Sequence, residues 1–285
     1  MYDDGLLGDK SKGQAINLPS FDQETYGASL GGPIIRDKAF FFLSYEKLDK
    51  TSPQGIGPAG SGAATEVAAV TQADYDQILA IARNVYGFDP GDPSGALPEK
   101  DEKILAKLDW NISDSQRASL SYQRTEGNQI TDGTSSPSLG RIASFSTWYD
   151  RSVKLESWSL QLFSDWTSNF ATELKVGRKE VATGQDSLKG TDFAEMQIRT
   201  ATGGTVYIGP DEFRHANKLT NDLDQAKLKG TYFLGDHTIS AGIEFESLDI
   251  FNIFLARSQG QYVFNSIADF QARSAASLRY NNARS

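Results

Sequence analysis

Residues 26–47 read YGASLGGPIIRDKAFFFLSYEK, two runs of alternating side chains around a short charged turn. In the first run Tyr26, Ala28, Leu30, Gly32 and Ile34 share one face, and Gly27, Ser29, Gly31 and Pro33 share the other. A period of two is what a strand imposes on its side chains. After Arg36-Asp37-Lys38, a second run sets Ala39, Phe41, Leu43 and Tyr45 against Phe40, Phe42, Ser44 and Glu46. One face is apolar throughout, and the other becomes polar away from the turn. The stretch reads as a β-hairpin with one apolar side.

The same pattern returns downstream in three further pairs. Ile104, Ala106, Leu108 and Trp110 alternate with Lys103, Leu105, Lys107 and Asp109, and after Ser113-Asp114-Ser115-Gln116 the chain returns with Ala118, Leu120 and Tyr122 against Ser119, Ser121 and Gln123. Trp158, Leu160 and Leu162 lead through Thr167-Ser168-Asn169 to Phe170, Thr172, Leu174 and Val176. The last pair runs Ala226, Leu228, Tyr232 and Leu234, then, past Gly235-Asp236, Ile239, Ala241, Ile243 and Phe245. Between the pairs lie long connections at about 51–100, 127–144 and 182–220, and from Gln259 onward the sequence reads as polar and irregular. Residues before Phe21 read as loop. Within 51–100, Tyr75, Ile78, Leu79, Ala82, Val85 and Tyr86 recur at helical spacing. Thr71 with Asp74 gives a capping pattern, and Gly87 with Pro90 ends the run, which predicts one amphipathic helix over 71–86.

About eight strands joined alternately by very short turns and very long loops predict an all-β fold. The specific expectation is a segment of an antiparallel up-and-down transmembrane β-barrel, with long outer loops and one loop helix. Outer-membrane barrels put short turns on the periplasmic side and long loops outside, whereas a sandwich or propeller distributes its loops more evenly. Phe41, Tyr45, Trp110, Tyr122, Trp158, Trp166, Phe170 and Tyr232 fall on or near strand ends, where an interfacial girdle would place them.

The run Gly27-Ala28-Ser29-Leu30-Gly31-Gly32-Pro33-Ile34, followed by Arg36-Asp37-Lys38 and Phe40-Phe41-Phe42-Leu43-Ser44-Tyr45-Glu46, resembles the early barrel hairpin of Oar-like TonB-dependent outer-membrane receptors. Weaker resemblance continues through Gly203-Gly204-Thr205-Val206 and Ile208-Gly209-Pro210-Asp211-Glu212-Phe213-Arg214-His215-Ala216-Asn217. The resemblance implies that residues 1–285 are part of a large barrel in the cell outer membrane of a Gram-negative bacterium, from the N-terminal half of that barrel. It implies import of a bound substrate past a plug domain, driven by the inner-membrane TonB complex; neither the plug nor the TonB-contacting segment is in this chain. A surface barrel that binds or adheres without transport, and a secreted soluble β-rich binding domain, stay open as alternatives.

Composition narrows the partners. A net charge of −9 opposes a nucleic-acid partner, which needs a basic stripe to displace counterions. There are no cysteines, which removes disulfides and thiolate metal sites. The N-terminal residues have neither the basic start nor the apolar core of a signal peptide. No run approaches the ~18 apolar residues of a membrane helix. A mean hydropathy of −0.43 does not argue against a barrel, because alternate residues alone face lipid.

Chemical motifs are sparse. Residues 55–60, GIGPAG, spell a dinucleotide fingerprint without its strand-turn-helix context. His215 and His237 lack paired-ligand spacing, so ordinary polar roles are expected of them. Asn221, Asp222 and Asp224 read as a solvated strand start, since the loop lacks the glycine and distal glutamate of an EF-hand. Glu244 and Glu246 share a strand face at ~7 Å, as any alternating polar face provides. No catalytic residue, cofactor or metal site is predicted, and the chain is not expected to be an enzyme. Substrate-binding residues are not identifiable individually. They are expected in the long loops, with the helix over 71–86 folding across its own loop, Tyr75, Ile78, Leu79 and Ala82 inward, as a cap at the barrel mouth.

Two face assignments follow from the alternation. Phe41, Leu43, Leu108, Leu120, Leu160, Leu174, Leu228 and Ile243 are expected toward outer-membrane lipid, and Lys107, Ser119, Gln161, Glu173, Lys227 and Glu244 toward the lumen. An open eight-stranded sheet would leave two unpaired edges, so the chain is expected to be incomplete at both ends and not to fold stably alone.

Overall fold

The computed structural model of the chain describes residues 21–91 and 95–282; the loop expected before Phe21 lies outside them. Eight long strands form one antiparallel sheet in sequence order: β1 (Asp22–Ile35), β2 (Ala39–Pro53), β5 (Ala96–Ser113), β6 (Gln116–Thr131), β8 (Tyr149–Thr167), β9 (Phe170–Ser187), β12 (Asn217–Leu234) and β13 (His237–Phe254). The sheet is open, with β1 and β13 at its edges. Connections at one end are two or three residues long, as at 36–38, where Asp37 adopts a left-handed φ of 61°. At the other end the connections are long and structured.

Cross-strand register explains the alternation. One row runs Gly32, Phe41, Leu108, Leu120, Leu160, Val176, Ala226, Phe245, and the next holds Ala39, Trp110, Ala118, Leu162, Leu174, Leu228, Ile243. All eight residues expected toward lipid share this face. The opposite face carries the row Asp109, Ser119, Gln161, Lys175, Lys227, Glu244, so the six lumen residues also fall together. Aromatic side chains bound the apolar band, with Tyr122 and Trp158 on one side and Phe170 and Tyr232 on the other. The rows containing them meet β12 at Asp224 and Tyr232. That separation is ~27 Å along the strand and ~20 Å along the membrane normal at barrel tilt, close to the apolar height of outer-membrane barrels. Charged rows lie above it, so the strands continue well beyond the membrane.

The long connections build a second, smaller unit. β3 (Ile56–Ala59), β4 (Thr65–Thr71) and α1 (Gln72–Tyr86) come from the first; β7 (Arg141–Ala143) from the second; β10 (Glu195–Arg199) and β11 (Thr205–Ile208) from the third. The segment after β13 adds β14 (Gln261–Phe264), α2 (Ile267–Gln271) and β15 (Ser277–Arg279). A five-stranded sheet forms in the order β15, β14, β10, β11, β7, with parallel pairing at β10/β14 and β11/β7, while β3 and β4 pair in parallel separately.

Several expectations change here. The segment from Gln259 onward is not irregular: Phe264 and Phe270 are buried in the core of this loop unit. The long strands reach further than their alternation suggested, β6 to Thr131 and β9 to Ser187, because their outer ends stand in water and lose the apolar signal. The connection at 51–100, read as a loop with one helix, also contains the short strands β3 and β4. Asp222 and Asp224 lie inside β12, not at its start, and Arg178 of β9 ion-pairs with both.

Candidate functional site at the barrel mouth

α1 starts as its sequence requires. The Thr71 hydroxyl accepts from the Asp74 N–H, and Gly87 closes the helix in the left-handed conformation at φ 66°. Tyr75, Ile78, Leu79 and Ala82 point inward as expected, but they meet more than their own loop. They share one core with Val67 and Val70 of β4, Ile142 of β7, Met196 and Ile198 of β10, Val206 and Ile208 of β11, and Phe264 and Phe270. Tyr86 stacks on Phe270 with ring centroids 4.7 Å apart, and its hydroxyl donates to the Phe270 carbonyl at 2.8 Å. The helix is therefore the centre of a unit assembled from all the outer connections.

Two of the glycines in the resembling stretches sit where backbones meet, Gly204 between two connections and Gly209 within one. A Cβ on Gly204 would lie 2.2 Å from the Ala69 carbonyl oxygen, and Gly209, at φ 83°, would place one 2.1 Å from the Ala194 oxygen. Thr200 and Thr202 donate their hydroxyls to that same Ala69 oxygen at 2.8 and 2.6 Å. Glycine is needed where two backbones approach this closely.

Alternation within the small sheet sends Met196, Ile198, Val206 and Ile208 to the helix side. It sends Glu195, Gln197, Tyr207 and Gln261 to the other side, where Trp148 and Ala143 pack with Leu97, Ile130 and Leu188 from the tops of the barrel strands. Glu195 is buried there. Its carboxylate accepts from the Gln197 and Gln261 side-chain amides at 2.9 and 2.8 Å and from the Glu212 N–H at 2.8 Å. Burial pushes its pKa up to about 7, against these hydrogen bonds, which pull it down. His215 is also buried: its Nδ1 accepts from the Gln259 N–H at 3.1 Å, so Nε2, 3.2 Å from the Pro210 carbonyl, is the donor. Burial lowers its pKa below the ordinary histidine value. Asp211 accepts from Phe213 N–H and Thr134 hydroxyl, Arg257 pairs with Glu212, and Arg214 lies over the Tyr149 ring at 4.1 Å. Sequence reasoning singled out neither Glu195 nor Gln261; the available signal was a lone glutamate opening the alternating run Glu195-Met196-Gln197-Ile198.

The remaining candidates stay apart. His237 opens β13 at the short-turn end, far along the chain's fold from His215. Glu244 and Glu246 share the lumen face, where Glu246 pairs with Gln225; the Ser121–Ser159 hydrogen bond and the Lys107–Asp109 ion pair lie on the same face several strands away. Asn221 lies on the face opposite Asp222 and Asp224. Residues 55–60 form β3 and its turn, with no helix following. Among the described residues no group of three or more His, Cys, Asp or Glu could hold a metal ion. Toward the outer end the lumen face becomes mixed: Leu223 and Leu248 share a row with Lys179 and Ser157, and Leu155, Val181 and Ile250 share the next with Asn221.

A one-sided apolar band, aromatic borders, a polar inner face and a structured outer end define an outer-membrane β-barrel domain. Comparison with known proteins agrees. A family described as "Outer membrane beta barrel domain" matches residues 10–57, which include the first hairpin. The outer-membrane transporter YddB from Escherichia coli superposes with a TM-score of 0.57 at 12% identity, covering 86% of this chain and 28% of that one. At that score the two share a fold, and this chain spans little more than a quarter of YddB's length. The ferric-catecholate import receptor Fiu from E. coli K12 gives a TM-score of 0.39 at 11% identity over 85% of this chain and 39% of its own. No curated protein matches the sequence. The barrel sheet resides in the cell outer membrane.

Proposed function

We propose that the chain is a segment of a TonB-dependent, Oar-like receptor that binds a substrate at its outer loops and imports it through a larger barrel. In this reading a plug domain and the TonB complex act on parts of the protein outside residues 1–285. The observation that carries it is the asymmetry of the sheet: minimal turns at one end, and at the other a packed unit built from every long connection. A barrel needs no such unit for closure, and loop structure of this size marks binding or gating. The mixed apolar and polar outer rows of the lumen face, and the polar rows beneath them, suit a substrate, or a plug, that presents both kinds of surface.

The test is energy-dependent uptake by cells carrying the full-length parent, compared with cells lacking it, before and after collapse of the inner-membrane potential. Loss of uptake with retained surface binding is expected. Surface binding with no energy-dependent uptake under any nutrient limitation would instead favour a barrel that binds without transport.

A further inference from the structure

Arg151 is the one arginine among the described residues whose side chain has no ion pair, hydrogen bond or aromatic contact. Elsewhere Arg124 and Arg178 pair with carboxylates, Arg199 and Arg279 donate to Asn265 and Gln261, and Arg117 and Arg141 lie over the rings of Phe163 and Tyr207. The rest are engaged in the same ways. Arg151 stands exposed on the lumen face of β8, in one cross-strand row with Gln129 of β6 and Gln185 of β9. Acids on the same face are committed: Glu99, which continues the row on β5, pairs with Lys50 at 2.9 Å, and Asp101 with Lys103 at 3.0 Å. Asp150 and Asp186, next to Arg151 and Gln185 in the chain, fall on the opposite face.

A cavity of about 220 Å³ opens beside Arg151, across β5, β6 and β8. Gly127 keeps it open, since a Cβ there would crowd Asp101 Oδ2 at 3.1 Å and the Lys100 carbonyl oxygen at 3.2 Å. Thr125, Gln129 and Arg151 give the cavity polar groups, and Val153, 40% exposed, gives it an apolar one. Further in, the same face of β8 carries Leu155 against Val181 of β9. The next row outward holds Thr131, Tyr149 and Ser187, and Arg214 of the loop unit lies over the Tyr149 ring. The site therefore stands where the lumen meets the loop unit. Charge selects its ligand. A guanidinium offers a planar fork of donors that grips a carboxylate through two parallel hydrogen bonds. One free guanidinium between neutral amides compensates one negative charge, and Glu99 and Asp101 across the cavity oppose a dianion such as a phosphate monoester. Val153 and Leu155 suit a short hydrocarbon body behind the charged head.

We propose that Arg151, flanked by Gln129 and Gln185, is the subsite for the carboxylate of the protein's substrate, a monocarboxylate with a short apolar body; this rests on the substrate-binding reading above. The probe is hexanoate, with hexanol and hexyl phosphate for comparison, titrated into the full-length barrel in detergent and followed by saturation-transfer NMR of the ligand. Arg151→Gln and Arg151→Lys are compared with the unmodified protein. Both alter an exposed side chain, and heat-modifiable migration on gels reports their folding. Saturable hexanoate binding is expected, preferred over both comparison compounds. It should weaken about tenfold or more in Arg151→Gln and by less in Arg151→Lys, which keeps the charge and loses the fork. Equal binding by folded Arg151→Gln, or hexanol bound as well as hexanoate, would overturn the site. So would an unmodified protein that binds no hexanoate, as when an acidic side chain from another part of the full-length protein already occupies Arg151. Preference for hexyl phosphate would overturn the monocarboxylate class. Binding is measured here without uptake, so the two readings fail separately. Energy-dependent uptake without Arg151-dependent binding sinks the subsite alone, and Arg151-dependent binding without uptake leaves the subsite standing in a barrel that does not transport.

Discussion

Glu195 offers a quantitative test of the loop unit. A glutamate that titrates near 4.5 in an unfolded loop and at about 7 when buried is penalised as an anion in the folded state. At 1.36 kcal/mol per pH unit this amounts to ~3 kcal/mol. Between those values the folded unit holds a proton that the opened one releases. The stabilisation is therefore fully present below pH 4.5 and is lost as pH rises through about 7. Substitution Glu195→Gln removes the titration but places an amide N–H₂ or a single carbonyl where Oε1 accepts two amides and Oε2 accepts the Glu212 N–H. The variant should lose about 1 kcal/mol at pH 4.5 and gain relative to wild type above pH 8. His215 contributes the opposite slope, since its pKa is lowered and its stabilisation is lost as pH falls through that lowered value, so the raw pH dependence mixes the two groups. The difference between wild type and Glu195→Gln isolates the carboxylate. Hydrogen exchange at Ile198 and Val263 in the full-length barrel, corrected for intrinsic rates, should show that difference changing by roughly a hundredfold in opening equilibrium between pH 4.5 and 8.5. A difference that stays constant across this range would refute the assignment of Glu195 as the titrating group.

Two further perturbations separate the sheet from the loop unit. Leu160→Arg on the apolar face should destabilise the full-length barrel by ~2–4 kcal/mol in denaturant titrations from lipid vesicles, and Gln161→Arg on the opposite face by much less; equal costs would mean that the faces are misassigned. Phe270→Ala empties a fully buried site stacked on Tyr86 and edge-on to Phe264, costing ~3–5 kcal/mol. Exchange should rise together in α1, β10 and β14 while β8 and β9 stay protected, and a rise confined to α2 would show that the loops are not coupled.

The eight long strands were legible because each keeps a lipid face for many residues, and the hairpins joining them are local. Phe41, Leu108, Leu120 and Leu160 meet in one row, as a period of two demands once the turn is placed. α1 was equally legible, because Thr71, Asp74 and Gly87 mark its ends chemically. The five-stranded loop sheet was not. Its strands are three to five residues long, and β10 pairs in parallel with β14, which follows β13 in the chain, so no local turn announces the partner. Gln261-Tyr262-Val263-Phe264 reads as a fragment in isolation and becomes a strand only when Glu195-Met196-Gln197-Ile198 is beside it. Strand ends above the membrane were missed for a related reason: there both faces meet water or protein, and alternation no longer distinguishes them. Glu195 escaped notice because a buried carboxylate is identified by its surroundings, which the sequence does not display.

Assembly of the loops into one sheet constrains how an outer gate could move. If each connection were independent, one loop could swing aside at little cost. Here Thr205 N–H donates to the Gly140 carbonyl, Ser144 N–H to Tyr207, Ser146 N–H to Pro90 and Glu195 N–H to Gly260, tying the four outer stretches together by backbone hydrogen bonds. Withdrawing a single loop would break such bonds and expose part of a shared apolar core, where each large side chain contributes ~1.5–3 kcal/mol. Displacing the whole unit breaks none of them; it strains the strand tops and the contacts across them, among them Trp148 with Leu97 and Ile130, Arg214 with Tyr149 and Phe213 with Phe254. On the proposed function, movement of the unit as one body, pivoting on the outer ends of the barrel strands, is the expected route to opening.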